Sequence, residues 1–309
     1  MIVSRRRAFK AVAAAGLTFL SAFHSIKRTI GQSEIEPADL ETFTVIGGGL
    51  DTRPPELKLP GDPENADVFI IARLHLPTGR MRAVNVPRDL YLEIPGFGYD
   101  KITRTYDFGS KAGDGAFKAG AETMKTTVLA NFGVQVDAVA VATFDGFVDI
   151  INTVNGVDVE NPYDLFDAEF PTPDHGIESI FFPAGIVHLD GIDALKFVRT
   201  RHQDGDAGRV MRQRLVLSAM LEKVTSDEYR AQLPDLVHLY RRVVRNDIGA
   251  SRRLALALAA DNFTAETVEF ADLFEYVYSD FTAEGMWIYS GDWAQIPGFV
   301  QGFLAGASG

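Results

Sequence analysis

Cysteine is absent from the chain, histidine occurs only 6 times, and 30 basic side chains face 42 acidic ones. Zero cysteine excludes disulfides, thiolate nucleophiles and cysteine metal sites, and leaves the redox compartment to be read elsewhere. His75, His175, His188 and His202 have no ligand spacing and read as structural or surface groups. A formal net charge of −12 without a broad basic stripe excludes nucleic acid as a partner, because such binding needs many cations to displace counterions. Long apolar runs are scarce too. The small, apolar stretch from Ala11 to Ala22 falls short of the roughly 18 residues of a comfortable membrane span.

What is present begins with Ser4-Arg5-Arg6-Arg7-Ala8-Phe9-Lys10 ahead of that stretch, an export signal of twin-arginine character. It is either cleaved near Leu20-Ser21-Ala22 or kept as an anchor through Ile26, and in both cases the body faces outward by the positive-inside tendency. Residues 1–30 are read as signal or anchor, 31–41 as a polar linker and 42–309 as one domain. No repeat, low-complexity tract or second linker interrupts it, and 46% hydrophobic residues suffice for a large core. Periodicity predicts an α/β fold. Strands are expected over 42–46, 67–76, 80–86, 90–94, 136–144 and 157–159, and helices over 116–132, 146–154, 189–197 and from about 207 through 224. Residues 163–182 are expected as a long loop, 233–260 as helical, and the remainder as a mixed region. Arg241, Arg242, Arg245, Arg252 and Arg253 form a second basic cluster, read as a solvated face with membrane headgroups as the weaker option.

Against the acidic background, Arg199, Arg201, Arg209, Arg212 and Arg214 crowd a short stretch with Asp204, Asp206 and Gln213. Guanidinium is a permanently charged fork that matches phosphate oxygens two at a time, so this clustering suits a pyrophosphate. A helix starting near Ala207 with Asp206 as its cap puts Arg209, Arg212 and Gln213 within roughly a 100° arc at a helix N-terminus and turns Arg214 elsewhere. Standing alone, the segment has a solvated charged helix start as its weaker reading. Asp51 follows Gly47-Gly48-Gly49 at a strand end and Asp67 opens the next strand; paired, they suit a hard cation, and singly they read as turn or cap residues. Arg53, Arg88 and Asp89 taken alone read as surface ion pairs.

The order of motifs decides. Gly49-Leu50-Asp51-Thr52-Arg53, Ala66-Asp67-Val68, Val86-Pro87-Arg88-Asp89, Lys101-Ile102, Asp145-Gly146-Phe147, Asn155-Gly156-Val157-Asp158, Arg199-Thr200-Arg201 and Asp206-Ala207-Gly208-Arg209 with Arg212-Gln213 together resemble the LytR-CpsA-Psr family. The resemblance implies a mixed central sheet flanked by helices that holds a polyprenyl pyrophosphate. It also implies a phosphotransferase that moves a glycopolymer phosphate from this carrier to peptidoglycan or a related envelope acceptor, with Mg²⁺ or Mn²⁺, at the outer face of the membrane. Asp51 and Asp67 then hold the metal. Arg88, Arg199, Arg201 and Arg209 hold the pyrophosphate with support from Gln213, while Arg53, Lys101 and Arg212 complete the anion set. Asp51 or Asp89 serves as base beside the catalytic Arg88, Arg199 and Arg209. Two departures stand out: Asn65-Ala66-Asp67-Val68 lacks the hydroxyl residues usual around the second aspartate, and Thr103-Arg104-Thr105 replaces the usual Asn and small residues. Arg73 and Arg104 are candidates to compensate. Two rival functions share the same head group: a pyrophosphatase with water as acceptor, and a non-catalytic lipid-pyrophosphate binder. The apolar Phe144, Phe147, Val148, Ile151, Val139 and Val141 read as core rather than as a lipid wall.

Overall fold

The computed structural model describes residues 41–51, 62–113, 116–172, 174, 176–226, 243–259 and 262–306. The signal reading, nearly all of the linker reading, and Arg53 lie outside these residues.

Alternating small and bulky residues build the central sheet. Its strands are β1 (Thr42–Asp51), β2 (Asn65–His75), β3 (Arg80–Asn85), β6 (Ala138–Thr143), β11 (Val244–Asn246) and β12 (Val268–Asp272), in the order β11-β6-β1-β2-β3-β12. Strand β1 runs antiparallel to β2 and parallel to β6, so the sheet is mixed as expected. One face carries Ile46, Leu50, Phe69, Ile71, Val84, Val139 and Val141, all buried. Against it packs α2 (Ala116–Phe132), whose Ala121, Met124, Val128 and Phe132 recur at helical spacing, together with Val300 and Leu304 of α7 (Ile296–Ala305). Each fully buried Leu, Ile or Phe contributes about 1.5–3 kcal/mol, which fixes this layer firmly.

The opposite face presents Gly47, Gly49, Val68, Ile70, Ala140 and Ala142, paired side by side across β1, β2 and β6. Small side chains cannot fill the space to the next layer, so a cavity remains. That layer is a second core of α3 (Phe144–Thr153), β7 (Val157–Asn161), β8 (Leu165–Pro171), β9 (Ile177–Phe182), β10 (Gly185–Leu189), α4 (Gly191–Arg199) and α5 (Gly205–Thr225), centred on Ile151, Leu165, Phe182, Phe197 and Val216. Two hairpins flank the sheet: β4 (Tyr91–Ile94) with β5 (Gly98–Lys101), and β13 (Val277–Phe281) with β14 (Trp287–Gly291). A short 3-10 turn at Ile102–Arg104 and α1 (Thr105–Ala112) follow β5, and α6 (Ala250–Ala259) follows β11.

Several expectations need correction. Within the expected loop of 163–182, Leu165–Pro171 and Ile177–Phe182 pair as antiparallel strands β8 and β9, because buried Leu165, Asp167, Phe170, Ile180 and Phe182 give them a packed face. Helix α4 begins at Gly191, capped by the Asp190 side chain accepting from the Asp193 N–H, and Leu189 ends a strand. Helix α5 starts at Gly205, with Asp204 rather than Asp206 in the cap position. Within 233–260, residues 233–242 and 260 lie outside the described residues, 244–246 is a strand, and helix follows only from Ala250. In the second basic cluster, Arg252 pairs with Asp137 at 2.9 Å and Arg253 donates to the Ile248 carbonyl at 2.7 Å, so both serve the fold; Arg241 and Arg242 lie outside the described residues.

Candidate anion and lipid site

The cavity encloses about 800 Å³. Its floor exists because Gly47 has no side chain: a Cβ there would meet nothing nearer than Ile70 Cβ at 4.0 Å, and would project into the void. At the end of β1, Asp51 reaches the lining as the last residue of its strand. Asp67 arrives differently. Gly49 pairs with Val68 and Leu50 with Ala66, which leaves Asp67 as the extra residue of a β-bulge. In a regular strand Asp67 and Val68 would face opposite ways; the bulge lets both line the cavity.

From the loop after β3, Arg88 reaches Asp67 at 2.6 Å, and its Nε lies 3.4 Å from Asp89, which Lys101 holds at 2.7 Å. From the facing layer come Arg199 at the end of α4, Arg201 in the next loop, and Arg209 and Gln213 one turn apart on α5. Arg199 stacks on Phe144 at 4.5 Å and on Phe170 at 5.5 Å, which fixes a flexible side chain at the boundary between polar and apolar walls. Gln213 accepts from the Asn85 amide at 3.2 Å and so ties α5 to the sheet. The predicted Asp51, Asp67, Arg88, Arg199, Arg201, Arg209 and Gln213 therefore meet around one cavity.

Electrostatics make this end receptive to an anion. Burial pulls the Arg209 guanidinium below its ordinary pKa; Asp206, 3.3 Å away, opposes this, and Arg88 and Arg201 add to the depression. Burial also works against charged Arg88, but Asp67, Asp89 and Asp206 outweigh it, and Arg88 sits above its ordinary value. Among the described residues the buried Nε atoms of Arg88 and Arg209 have no hydrogen-bond partner, Arg88 Nε having only the longer ion pair with Asp89 at 3.4 Å. A desolvated donor without an acceptor costs about 1–3 kcal/mol.

Arg212 is withdrawn from the anion set. It is fully buried and turned to the other side, donating to the Phe197 carbonyl at 2.7 Å, to the Thr200 carbonyl and to Asp204. Gly208 makes room for that carboxylate, since a Cβ there would fall 2.0 Å from Asp204 Cγ. Tyr163 completes the knot, donating to Asp204 at 2.6 Å. Lys101 is not in the lining; it acts on the site through Asp89. Arg214 pairs with Asp272, away from the cavity as expected.

The departures around Asp67 also have a structural answer. Thr103 Oγ1 donates to Asp67 at 3.3 Å and supplies a hydroxyl that positions 66 and 68 do not. Arg104 bonds Asn65 and Asp107 instead of lining the cavity, and Arg73 bonds Thr44 at the far end of the β1–β2 pair. Among the described residues no group of three or more Asp, Glu or His side chains converges on a cation position; Asp51 and Asp67 both line the cavity, Asp67 in an ion pair with Arg88. Two hard carboxylates fit Mg²⁺, which keeps most of its shell for water and phosphate.

Sequence reasoning missed the groups that hold the arginines. Asp167 of β8 accepts from Thr200 at 2.5 Å and pairs with His202 at 2.7 Å, pinning the loop that carries Arg199 and Arg201. Neither it nor Asn85 sits in a motif. The other arm of the cavity is apolar, with Phe144, Phe147, Ile150, Leu195, Leu217, Met220 and Val244 among its walls. Val139, Val141 and Ile151 are core, as read from their spacing, whereas Phe144 and Phe147 face the void.

A profile of the LytR_cpsA_psr family matches residues 18–299. The polyisoprenyl-teichoic acid–peptidoglycan teichoic acid transferase TagV of Bacillus subtilis (strain 168) is 28% identical over 244 residues, covering 77% of this chain and 58% of the relative. The enzyme of the same description called TagU, from Bacillus cereus, is 31% identical over 225 residues, covering 72% of this chain and 66% of the relative. The chain thus spans less than two thirds of the length of these relatives. The crystal structure of B. subtilis TagV superposes with a TM-score of 0.67 at 23% identity, over 86% of this chain and 98% of that one, and it shares the mixed sheet flanked by helices. With the family profile spanning most of its length and the fold in common, this chain belongs to the LytR_cpsA_psr family.

Proposed function

We propose that this protein is a phosphotransferase of the cell envelope that moves a glycopolymer phosphate from a polyprenyl pyrophosphate carrier to peptidoglycan or a related acceptor. The observation that carries this reading is the division of one cavity into a cationic end with Arg88, Arg199, Arg201 and Arg209 and an apolar arm along α3 and α5. A ligand with a diphosphate head and an isoprenoid tail matches both ends at once. The tail gains about 25 cal/mol for each Å² of apolar surface it hides, and the head meets donors already desolvated. The relatives' names, which join a polyisoprenyl-linked polymer to peptidoglycan, support the same substrate pair.

In the proposed reaction an acceptor hydroxyl attacks the glycan-linked phosphorus. A new P–O bond forms, the bridging P–O bond breaks, and its electron pair leaves on the polyprenyl phosphate. The hydroxyl proton passes to a carboxylate at this end, Asp51 or Asp89. Arg88 and Arg209 hold the charge that grows on the leaving phosphate, and Asp67 and Asp89 fix the direction of Arg88. Asp51 and Asp67 would hold Mg²⁺ or Mn²⁺, which supplies further positive charge against the phosphate oxygens. The site would work at the extracytoplasmic face of the membrane, where the lipid carrier presents its head group. Among the described residues no helix is long and apolar enough to cross a membrane.

The test supplies a labelled polyprenyl-pyrophosphate glycan, soluble peptidoglycan fragments and Mg²⁺. A covalent glycan–peptidoglycan adduct is expected from the wild type and at a rate about 10²–10³-fold lower from Arg209→Ala. Glycan phosphate released without adduct would assign water as acceptor, and donor binding without turnover would make the protein a binder only.

A further inference from the structure

Two hairpins meet beside the cationic end of the cavity, and their outer faces share one chemistry. Strand pairing puts Tyr91 opposite Lys101 and Glu93 opposite Tyr99 on one face of β4–β5, while Leu92 and Ile94 are buried on the other. On β13–β14, Trp287 pairs with Phe281 and Tyr289 with Ser279, and Ile288 is buried behind them. Contacts join the two faces into one row. Tyr91 and Tyr99 lie 5.9 Å apart by ring centroid, the Lys101 ammonium lies 5.5 Å from the Trp287 ring, and Trp287 meets Tyr289 edge-on at 4.9 Å. Tyr99 and Phe281 are each 64% exposed, although burying such rings is ordinarily favourable.

The row runs into the site. Lys101 Nζ is bonded to Asp89, Asp89 lies beside Arg88, and the Tyr289 N–H donates to the Asp89 carbonyl at 2.9 Å. The Tyr289 phenol is raised above its ordinary pKa by burial and then by Asp206 and Asp89, with Arg209 and Arg201 opposing. None of the row's residues is in the lining of the cavity; the row adjoins its cationic end through Asp89, outside the apolar arm.

We propose that this row, Tyr99, Tyr91, Lys101, Trp287, Phe281 and Tyr289, is the docking surface for the sugar chain of the acceptor. Pyranose rings have apolar C–H faces and polar edges, so a glycan strand lies on flat aromatic side chains while its hydroxyls meet polar neighbours such as Glu93 and Ser279. Isolated exposed apolar residues need no explanation, but a contiguous aromatic row ending at a charged site is an interaction surface. A strand lying on it directs one sugar hydroxyl toward Arg88 and Asp89. The inference rests on the proposed phosphotransfer, because it names where that reaction's second substrate sits.

The test measures binding of a soluble N-acetylglucosamine–N-acetylmuramic acid oligosaccharide and of a polyprenyl pyrophosphate separately. Wild type, Trp287→Ala, Trp287→Phe and Tyr99→Ala are compared after circular dichroism confirms folding. Trp287→Ala is expected to weaken oligosaccharide binding about tenfold and to raise the acceptor KM, with polyprenyl pyrophosphate affinity unchanged. Trp287→Phe should recover most of the loss, and Tyr99→Ala should act in the same direction. Oligosaccharide binding unchanged in both alanine variants, or equal losses for both ligands, overturns the proposal. If the oligosaccharide binds through Trp287 but no adduct ever forms, the docking surface stands and the phosphotransfer reading fails.

Discussion

At the cationic end of the cavity each residue is held by a named partner: Arg88 by Asp67, Arg209 by Asp206, Gln213 by Asn85, and the Arg199–Arg201 segment by Asp167. Along the apolar arm the walls are Phe, Ile, Leu, Met and Val packed without directional bonds. Charge requires geometry to within a fraction of an ångström, whereas apolar contact requires only volume and shape. Substitutions at the first end should therefore act singly and steeply, and those along the arm should act by volume and share their effects.

Four experiments break or sharpen that contrast. Arg212→Met should cost the most, about 3–5 kcal/mol in denaturant unfolding, because it strands Asp204 without its buried partner. A stability loss with donor affinity kept in the surviving folded protein places Arg212 in the framework. Arg209→Ala should lower kcat by about 10²–10³-fold in the adduct assay, as for other single donors to a developing anion. It should also lower stability because buried Asp206 loses its partner, so the rate is measured on protein shown to be folded by circular dichroism. Gly47→Val adds methyl groups at the cavity floor, where a new Cβ finds open space. It should weaken a long-chain polyprenyl pyrophosphate about tenfold by competition titration and leave a short-chain pyrophosphate unaffected. Equal losses for both ligands would place the tail elsewhere.

Asp167→Asn should have the smallest effect, about 1–2 kcal/mol at neutral pH. Burial disfavours the Asp167 carboxylate, yet Thr200, the Glu169 N–H and His202 outweigh it, so its pKa lies below the ordinary value. A depressed folded-state pKa stabilises the fold above the unfolded value near about pH 4, and that stabilisation fades as pH falls through the lower folded value. The stability gap between wild type and variant, followed by thermal melts, should therefore be constant near neutrality and close below about pH 4.

Why the arginines were legible and their supports were not follows from the same contrast. Several guanidiniums near residue 200 in an acidic chain stand out in composition, and helical spacing alone brings Arg209 and Gln213 together. The same spacing could not separate Arg209 from Arg212, because the direction of the protein interior depends on where Phe197 and Thr200 fall in space. Residues 163–182 read as loop because Pro and Asp outweighed an alternation interrupted between Asp167 and Phe170. The cavity walls were indistinguishable from core: Phe147 and Ile151 are both apolar on one helix, and only packing shows that one faces a void. Asn85, Asp167 and Tyr289 carry no local signal for the site, since the partners through which they act on it, Gln213, Thr200 and Asp89, lie between 33 and 200 residues away in the chain.

The single unmatched residue in β2 has a consequence for how this strand tolerates change. Removing Asp67 would let Ala66 and Val68 close the ladder without a gap, and the strand would fold as an ordinary member of the sheet. The hydrophobic layer beneath would notice little, while the carboxylate facing Arg88 would be gone. A one-residue deletion there should therefore yield a well-folded, inactive protein, in which shape survives and chemistry does not.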